Sequence, residues 1–174
     1  MENTAKKTKI IYEGDVYAGS FYLFIGFCSL LAAISLYYFS GRIGFFYLSI
    51  GLSILTIYMV GKGIVMMYLY FSRYKYYKNH DDLSKDEIRD ERRYTRWRIL
   101  KKKKNRRKYI YTILFGCLIA FMGIFHRHTG LIGATCIPIV LMAMIEFGVG
   151  ILTEFRLTQY LKHLHNLSEN LYIN

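Results

Sequence analysis

Four long apolar stretches alternate with shorter polar segments along the chain. The stretches run from about Val16 to Ser40, from Ile43 to Phe71, from Tyr109 to Phe125 and from Leu131 to about Thr153. A helix that crosses a bilayer needs about 20 predominantly apolar residues at a rise of about 1.5 Å per residue. The stretches lack the alternation of membrane β-strands, and a helix in lipid satisfies its own backbone hydrogen bonds. The pattern therefore predicts four transmembrane helices.

The hydrophobic pattern occurs twice. Cys28, Gly41, Ile43 and Gly44 recur with the same spacing as Cys117, Gly130, Ile132 and Gly133. A spacing that recurs in this way is typical of a duplicated structural unit. We therefore predict an all-α integral membrane protein whose four transmembrane helices are a tandem duplication of a helical hairpin, with a basic cytoplasmic helix between the hairpins.

This prediction divides the chain into five segments. They are a cytoplasmic N-terminal segment (1–15), a first transmembrane hairpin (16–72), a cytoplasmic basic helical linker (73–108), a second transmembrane hairpin (109–155) and a cytoplasmic C-terminal tail (156–174). Within the linker, Ser84 and Glu87 have the spacing of a capping box, and neither glycine nor proline follows Lys85 until Gly116. A helix is therefore predicted to begin near Lys85 and to continue into the third span.

Charge is strongly segregated in this chain. Hydrophobic residues make up 53% of the 174 residues, and the formal net charge is +12. Of the 24 lysines and arginines, 16 fall between Arg73 and Lys108. The positive-inside rule therefore places both termini and the linker in the cytoplasm. The residue usage, together with the lack of an organelle signal, favours a bacterial inner membrane.

Two residues form a candidate intramembrane charged pair. Glu146 lies deep in the fourth span, and superposing the two repeats places Lys62 within about one residue of the same depth. A carboxylate in lipid is costly unless it is paired, protonated or hydrated. The pair is either a switch or ion-pathway site, or a structural ion pair whose side chains reach the interface. Pro138 predicts a kink in the same helix, as a gating hinge or as a static bend.

The linker supplies a candidate binding surface for anionic lipid or for a partner. Its residues are Arg92, Arg93, Arg96, Trp97, Arg98, Lys101, Lys102, Lys103, Lys104, Arg106, Arg107 and Lys108. A juxtamembrane basic cluster can simply enforce topology, bind anionic headgroups or, with its aromatic residues, bind nucleic acid. Nucleic acid is the least favoured of the three.

Each predicted hairpin is followed by an arginine and a histidine with six residues between them, Arg73 with His80 and Arg156 with His163. This spacing resembles the active-site signature of HEPN-type ribonucleases, and with it small membrane accessory proteins of RNA-targeting CRISPR loci. The resemblance implies a ribonuclease site and a role in an antiphage or CRISPR system. The alternative is that the pairs mark two equivalent helix ends, where cations meet the last carbonyl groups.

The remaining patterns favour no cofactor and no metal. The cysteines Cys28, Cys117 and Cys136 all lie inside predicted spans and are expected to be buried apolar residues. Because no phosphate-binding loop, nucleophile elbow or zinc helix occurs, an enzyme is the less favoured class.

Two functions from different classes follow. The first is an interaction or anchoring subunit that uses its basic helix to bind a cytoplasmic protein or anionic lipid. The second is an oligomeric channel, pore or transporter-like protein, in which small residues provide the contacts between spans. Candidate contact residues are Ser29, Ala33, Gly116, Ala120, Gly148 and Gly150.

Overall fold

The computed structural model describes residues 4–39, 41, 43–79, 84–124 and 129–173, and these form four α-helices. The helices are α1 (Thr4–Phe39), α2 (Ile43–Lys78), α3 (Lys85–Ile124) and α4 (Thr129–Ile173). Over Lys6–Tyr38, Ile43–Lys78 and Ile132–Asn166, helices α1, α2 and α4 are long and apolar enough to cross a membrane. The prediction of an all-helical chain is confirmed for the described residues, and three of the helices could cross a membrane. The third of the predicted spans lies in α3, the least apolar helix, so a fourth crossing and the hairpin duplication stay predictions.

All four helices are longer than a bilayer requires. Helices α1 and α2 each contain 36 residues, which corresponds to about 54 Å, whereas the hydrocarbon core of a bilayer is about 30 Å thick. The helices therefore extend beyond the predicted spans, and several of the side chains there are buried. Tyr12 and Asp15 near the start of α1 are buried, and so are Leu157 and Leu164 near the end of α4. Packing of these flanking segments was not predicted from the sequence.

The helices associate as two pairs. Helix α1 packs along α2, and α3 packs along α4, while the two pairs meet mainly through α2 and α4. The side chains of Asp15, Glu91 and Glu146 and the side chains in contact with them lie towards one end of the bundle, which we call the basic end. Ser84 begins α3 with the hydrogen bonds of a capping box, since its backbone N–H donates to Glu87 Oε2 (2.8 Å) and the Glu87 N–H donates to Ser84 Oγ (3.3 Å).

Small residues allow α1 and α2 to approach closely in the apolar part of the bundle. A Cβ atom on Gly63 would lie 2.9 Å from the backbone oxygen of Gly19, so a larger residue does not fit there. Further along, Ser29 Oγ donates to the Leu52 carbonyl oxygen (3.0 Å). The apolar core beside these contacts contains Tyr22, Ala33, Leu52, Leu55, Met59 and Val149.

Pro138 lies within α4 and packs against α2. A Cβ atom on Gly51 would lie 2.7 Å from Pro138 Cγ, so the glycine makes room for the proline ring. A proline has no N–H to donate to the carbonyl oxygen four residues earlier, which here is that of Ala134. The Thr135 hydroxyl, a possible donor to that oxygen, donates to the Ile132 carbonyl oxygen (3.0 Å). Helix α4 continues through Pro138, and the kink stays a prediction.

The burial predicted for the cysteines is only partly correct. Cys136 is buried, but Cys28 and Cys117 are exposed. They occupy outward positions of α1 and α3, because the faces that pack inward carry smaller residues such as Ser29 and Gly116.

Candidate functional site

Three carboxylates are buried at the basic end. Asp15 of α1, Glu91 of α3 and Glu146 of α4 are only 1%, 4% and 2% exposed. A buried carboxylate is strongly destabilising unless cations or hydrogen-bond donors surround it. The contacts of these three groups therefore determine how the four helices fit together.

Glu146 receives contacts from two neighbouring helices. Lys62 of α2 forms an ion pair with its Oε1 atom, and Tyr58 donates a hydrogen bond to the same atom (3.1 Å). From α3, Tyr109 donates to Oε2 (3.3 Å). The Lys62 ammonium also lies 4.6 Å from the ring centroid of Tyr22 in α1. The structure thus brings the predicted Lys62–Glu146 pair together, inside a cluster to which all four helices contribute.

Asp15 is held by two arginines. Arg98 of α3 donates from Nη2 to Asp15 Oδ2 (2.7 Å), and this arginine side chain is only 6% exposed. Arg156 of α4 lies 3.7 Å from Oδ1. Gly14 makes this second contact possible, because a Cβ atom there would coincide with the Arg156 guanidinium. The ring centroid of Tyr70 lies 4.8 Å from Arg98, which adds a cation–π contact.

Glu91 is surrounded by hydroxyl groups and one arginine. Tyr12 donates to both of its oxygens (2.8 and 3.0 Å), and Tyr77 donates to Oε1 (2.7 Å). Arg73 donates to the Tyr12 hydroxyl (3.0 Å) and lies 3.4 Å from the carboxylate. The rings of Tyr12 and Tyr77 stack at 5.6 Å with an angle of 8°. This cluster joins α1, α2 and α3 at the outer part of the basic end.

The two arginines of the predicted Arg/His pairs have related roles. Arg73 of α2 reaches Glu91 of α3, and Arg156 of α4 reaches Asp15 of α1. Each arginine therefore links the second helix of one pair to the first helix of the other pair. His163 is half-buried on α4, whereas His80 lies outside the described residues. A ribonuclease site stays a prediction.

The structure divides the predicted basic surface of α3 into two sets. Residues 92–108 contain eleven lysines and arginines, of which three face inward: Arg98 is buried, while Lys102 and Arg106 are half-buried. The other eight are exposed, and so is Trp97. These eight are Arg92, Arg93, Arg96, Lys101, Lys103, Lys104, Arg107 and Lys108. The sequence alone predicted a single surface that contains them all.

A cavity of about 320 Å³ lies between α2, α3 and α4 at the basic end. Cations on its wall are Lys62, Arg98, Lys101, Lys102 and Arg106; the remaining lining residues are Met66, Leu69, Tyr70, Tyr94, Trp97, Asn105, Tyr109, Glu146, Phe147, Gly150 and Thr153. Long side chains line this space, which stays open between the helices instead of being filled by close packing. The cavity is polar on the side of α3 and partly apolar on the side of α2 and α4.

Lys102 differs from the other inward-facing cations. Lys62 is paired with Glu146, and Arg106 lies 3.2 Å from Glu154. Among the side chains that the structure describes, no carboxylate lies within ion-pair distance of Lys102. Burial, and then the nearby Lys62 ammonium, lower the pKa of Lys102 below its ordinary value.

Sequence reasoning missed Asp15, Glu91 and the tyrosines that surround them. One signal could have found part of the site. Thr8, Tyr12, Asp15, Gly19 and Tyr22 are spaced by three or four residues and lie on one face of α1, where all five are buried. Their mixed polarity hid this face from a search for apolar periodicity.

Comparison of the chain with protein-family models, with curated proteins and with solved structures gives no match. Among the described residues, no group of three or more His, Cys, Asp and Glu side chains is placed to hold a metal ion. The function is therefore inferred from the geometry of the basic end.

Proposed function

We propose that this protein is an anchoring subunit of a bacterial inner membrane that presents the exposed cationic face of α3 to an acidic protein in the cytoplasm. The observation that carries this proposal is the division of the α3 cations. Three of them face inward, and eight lie on the outer surface. Residues 92–108 contain no acidic residue, so every charged residue within this segment is positive.

The length of α3 favours a soluble partner over lipid for part of this face. The helix is unbroken from Lys85 to Ile124, and Arg96 lies 13 residues before Tyr109, where the apolar stretch begins. Thirteen residues correspond to about 20 Å along the axis. The headgroup layer is only about 5–8 Å thick on each side, and salt screens exposed charges beyond about 8 Å. Arg92, Arg93 and Arg96, the distal group, therefore lie too far out to bind headgroups.

The cations nearer the membrane have a different role in this proposal. Lys103, Lys104, Arg107 and Lys108, the proximal group, lie within about 10 Å of the start of the apolar stretch. They bind anionic headgroups and hold the basic end on the cytoplasmic side, as the positive-inside rule requires.

An acidic protein is favoured over nucleic acid as the partner. Sequence-tolerant binding of single strands uses aromatic rings on which bases stack. Trp97 is already stacked on Tyr94, with centroids 5.9 Å apart and an angle of 24°. The Lys101 ammonium also lies 4.8 Å from the Trp97 ring centroid. The one tryptophan of the exposed face is thus engaged in contacts within α3.

Photo-crosslinking in cells tests the proposal, because it captures a bound partner of any identity. A benzophenone amino acid in place of Arg96 should give adducts with a soluble protein, and the same amino acid in place of Lys104 should give adducts with lipid. Mass spectrometry identifies both kinds of product. In the protein that carries the benzophenone amino acid at position 96, the double variant R92Q/R93Q should lower the protein adduct at least tenfold. The double variant K103Q/R107Q removes the same charge and should leave the adduct largely unchanged.

Other outcomes would contradict the proposal. Adducts with RNA at position 96 would favour the nucleic-acid alternative, and adducts with lipid there would mean that α3 lies along the membrane surface. If the proximal and distal substitutions lower the yield equally, binding depends on net charge alone and the distal group has no special role.

An oligomeric pore is the second candidate, and one observation favours it. Gly61 of α2 and Gly148 of α4 are exposed, and a Cβ atom on either would meet open space. Helices in lipid associate through such small residues. In contrast, Ser29, Ala33 and Gly116 are buried by contacts within the chain. A detergent-solubilised particle larger than one chain that dissociates in G148L, together with ion flux altered by E146Q, would support the pore.

A further inference from the structure

We propose that the cavity between α2, α3 and α4 is a binding site for a phosphate group, carried either by an anionic lipid or by a small soluble phosphate compound. This site borders the exposed face of α3, with which it shares Trp97 and Lys101, but it does not depend on the partner bound there. The proposal follows from the charge on the cavity wall, from its unpaired lysine and from its shape.

The cations around the cavity outnumber the carboxylates that could neutralise them. Five cationic side chains line it, and one carboxylate, Glu146, lies among them. Asp15 and Glu154, which lie behind the wall, neutralise Arg98 and Arg106. With all three carboxylates counted, two positive charges remain. Lys101 and Lys102 are the two cations of the wall that have no ion pair among the described side chains.

Lys102 is the residue that most clearly needs an anion. It is half-buried, faces the cavity, and has the Lys62 ammonium as a neighbour. A desolvated ammonium beside another cation is destabilising unless an anion joins it. A phosphate group provides up to two negative charges together with several oxygens that accept hydrogen bonds. A phosphate group in the cavity would therefore provide the ion pair that Lys102 lacks among the described side chains.

The arginines on the wall have donors to spare for such a group. Arg98 contacts Asp15 through Nη2, and Arg106 contacts Glu154 through Nη1. A guanidinium has five N–H donors, so neither contact exhausts them. Since these carboxylates also fix the position of each arginine, the donors are held in place before a ligand arrives. Binding then costs less side-chain entropy than it would on an exposed basic surface.

The shape of the cavity suits a group that is charged at one end and apolar at the other. Met66, Leu69 and Phe147 form an apolar wall opposite the α3 cations. Tyr109, at the start of the apolar stretch of α3, lines the cavity too, and Lys62 and Glu146 line it from inside predicted spans, so the space lies across the expected membrane surface. Its volume of about 320 Å³ is at the lower end of the range for small-molecule sites. A lipid phosphate with its glycerol fits this arrangement, and so does a compact phosphate compound.

Gly150 offers a way to fill the cavity without changing any charge. It lines the cavity, and a Cβ atom there would have no neighbour within 4 Å. The Cβ atom of a leucine at this position therefore has room, and we expect the side chain to occupy ligand space. Gly148, on the same helix, is also unobstructed but is exposed and does not line the cavity. G148L is thus the matched control for G150L.

The lipid arm of the test uses native mass spectrometry of the full-length protein released from detergent micelles that contain phosphatidylglycerol or phosphatidylcholine. The expected result is retention of phosphatidylglycerol by the unmodified protein, at least tenfold weaker in K102Q and in G150L. Retention should be close to normal in G148L and in K85Q, which removes an exposed lysine at the start of α3 that belongs to neither the distal nor the proximal group. Circular dichroism of each variant shows whether its helices are intact.

The second arm measures binding of inorganic phosphate and glycerol phosphate to the detergent-solubilised protein by calorimetry. Binding of these compounds with the same dependence on Lys102 and Gly150, without retention of phosphatidylglycerol, would assign the site to a soluble phosphate compound. Absence of binding in both arms would overturn the proposal. So would equal losses in K102Q and K85Q, because binding would then reflect the overall positive charge.

Discussion

The apolar part of the bundle and its basic end are built from the same four helices by opposite means. In the apolar part, α1 and α2 meet through Gly19, Gly63 and small apolar side chains, while large residues such as Phe24 (64% exposed) and Ile57 (74% exposed) point outward. At the basic end the interior contains carboxylates, arginines and tyrosine hydroxyls. Outward positions there carry lysine and arginine.

This difference indicates what each region contributes to the fold. Where helices of this kind cross a membrane, lipid tails are as apolar as the side chains that face them, so close packing at small residues selects the helix contacts. The buried pairs at the basic end add a further constraint, because each carboxylate must meet its own donors. We infer that the basic end sets the register of the four helices.

The largest expected effect comes from breaking the most buried ion pair. D15N leaves the Arg98 guanidinium buried without its counter-charge, and loss of one partner of such a pair costs about 3–5 kcal/mol. Denaturant unfolding of the detergent-solubilised protein measures the change. D15L combined with R98M, which removes both charges, should recover most of the loss. The control is D86N, in an exposed pair with Arg89, which should change stability by less than about 0.5 kcal/mol. Equal effects of D15N and D86N would contradict the role assigned to the basic end.

Removal of one hydroxyl from the Glu91 cluster should have a smaller effect. Tyr77 is 9% exposed and donates to a carboxylate that is also buried. Y77F removes a hydrogen bond to a charged group, worth about 1.5–3 kcal/mol. Y76F is a matched control, since Tyr76 is 47% exposed and donates to Glu87 near the surface. If the two variants unfold at the same denaturant concentration, burial adds nothing to this hydrogen bond.

A glycine substitution tests the apolar part in the same way. In G63A the new methyl group would meet Leu23 Cγ at 2.8 Å and the backbone oxygen of Gly19 at 2.9 Å. Overpacking of this kind costs about 1–3 kcal/mol. G61A, two residues earlier in open space, should be neutral or stabilising by up to about 1 kcal/mol, because alanine favours the helix. Thermal unfolding in detergent compares the two, and a stabilised G63A would show that α1 and α2 are not held together at this point.

The smallest effect concerns the pH dependence of Lys102. The charged groups around it are Lys62, Arg98, Asp15 and Glu146. Its pKa in the folded protein lies below the ordinary value of 10.5, so the folded state binds the proton less tightly than the unfolded state does. The resulting destabilisation is present below the folded pKa and disappears as the pH rises through that pKa towards 10.5.

The variant K102Q removes this charge and so isolates its effect on stability. In buffer without phosphate at neutral pH, K102Q should have a Tm about 1–3 °C above that of the unmodified protein. The difference should shrink as the pH approaches 10. A difference that is constant with pH would mean that the Lys102 ammonium is not destabilised in the folded state. Addition of a phosphate ligand should raise the Tm of the unmodified protein only, which connects this measurement to the cavity.

Part of the site could be predicted from the sequence because its residues are conspicuous there. Glu146 and Lys62 interrupt apolar stretches, and the two repeats place them at a similar depth. The structure indeed pairs them. The basic run of α3 was also evident, but its division into inward and outward sets was not. Arg98 and Arg96 look alike in the sequence, and only the position of Asp15 on α1 separates their roles.

The order of residues along the chain specifies where the apolar stretches and the charges lie, and hence predicts membrane-spanning helices, three of which the described residues support. The apolar stretches and the clusters of charge can be recognised from residues that are close in sequence, because the period of the hydrophobic pattern reveals them. Which carboxylate meets which cation depends on how the helices pack, because Asp15 and Arg98 are 83 residues apart and no local pattern connects them. The cavity and the place of Lys102 on its wall also depend on how the helices pack, because the cavity lies between three helices.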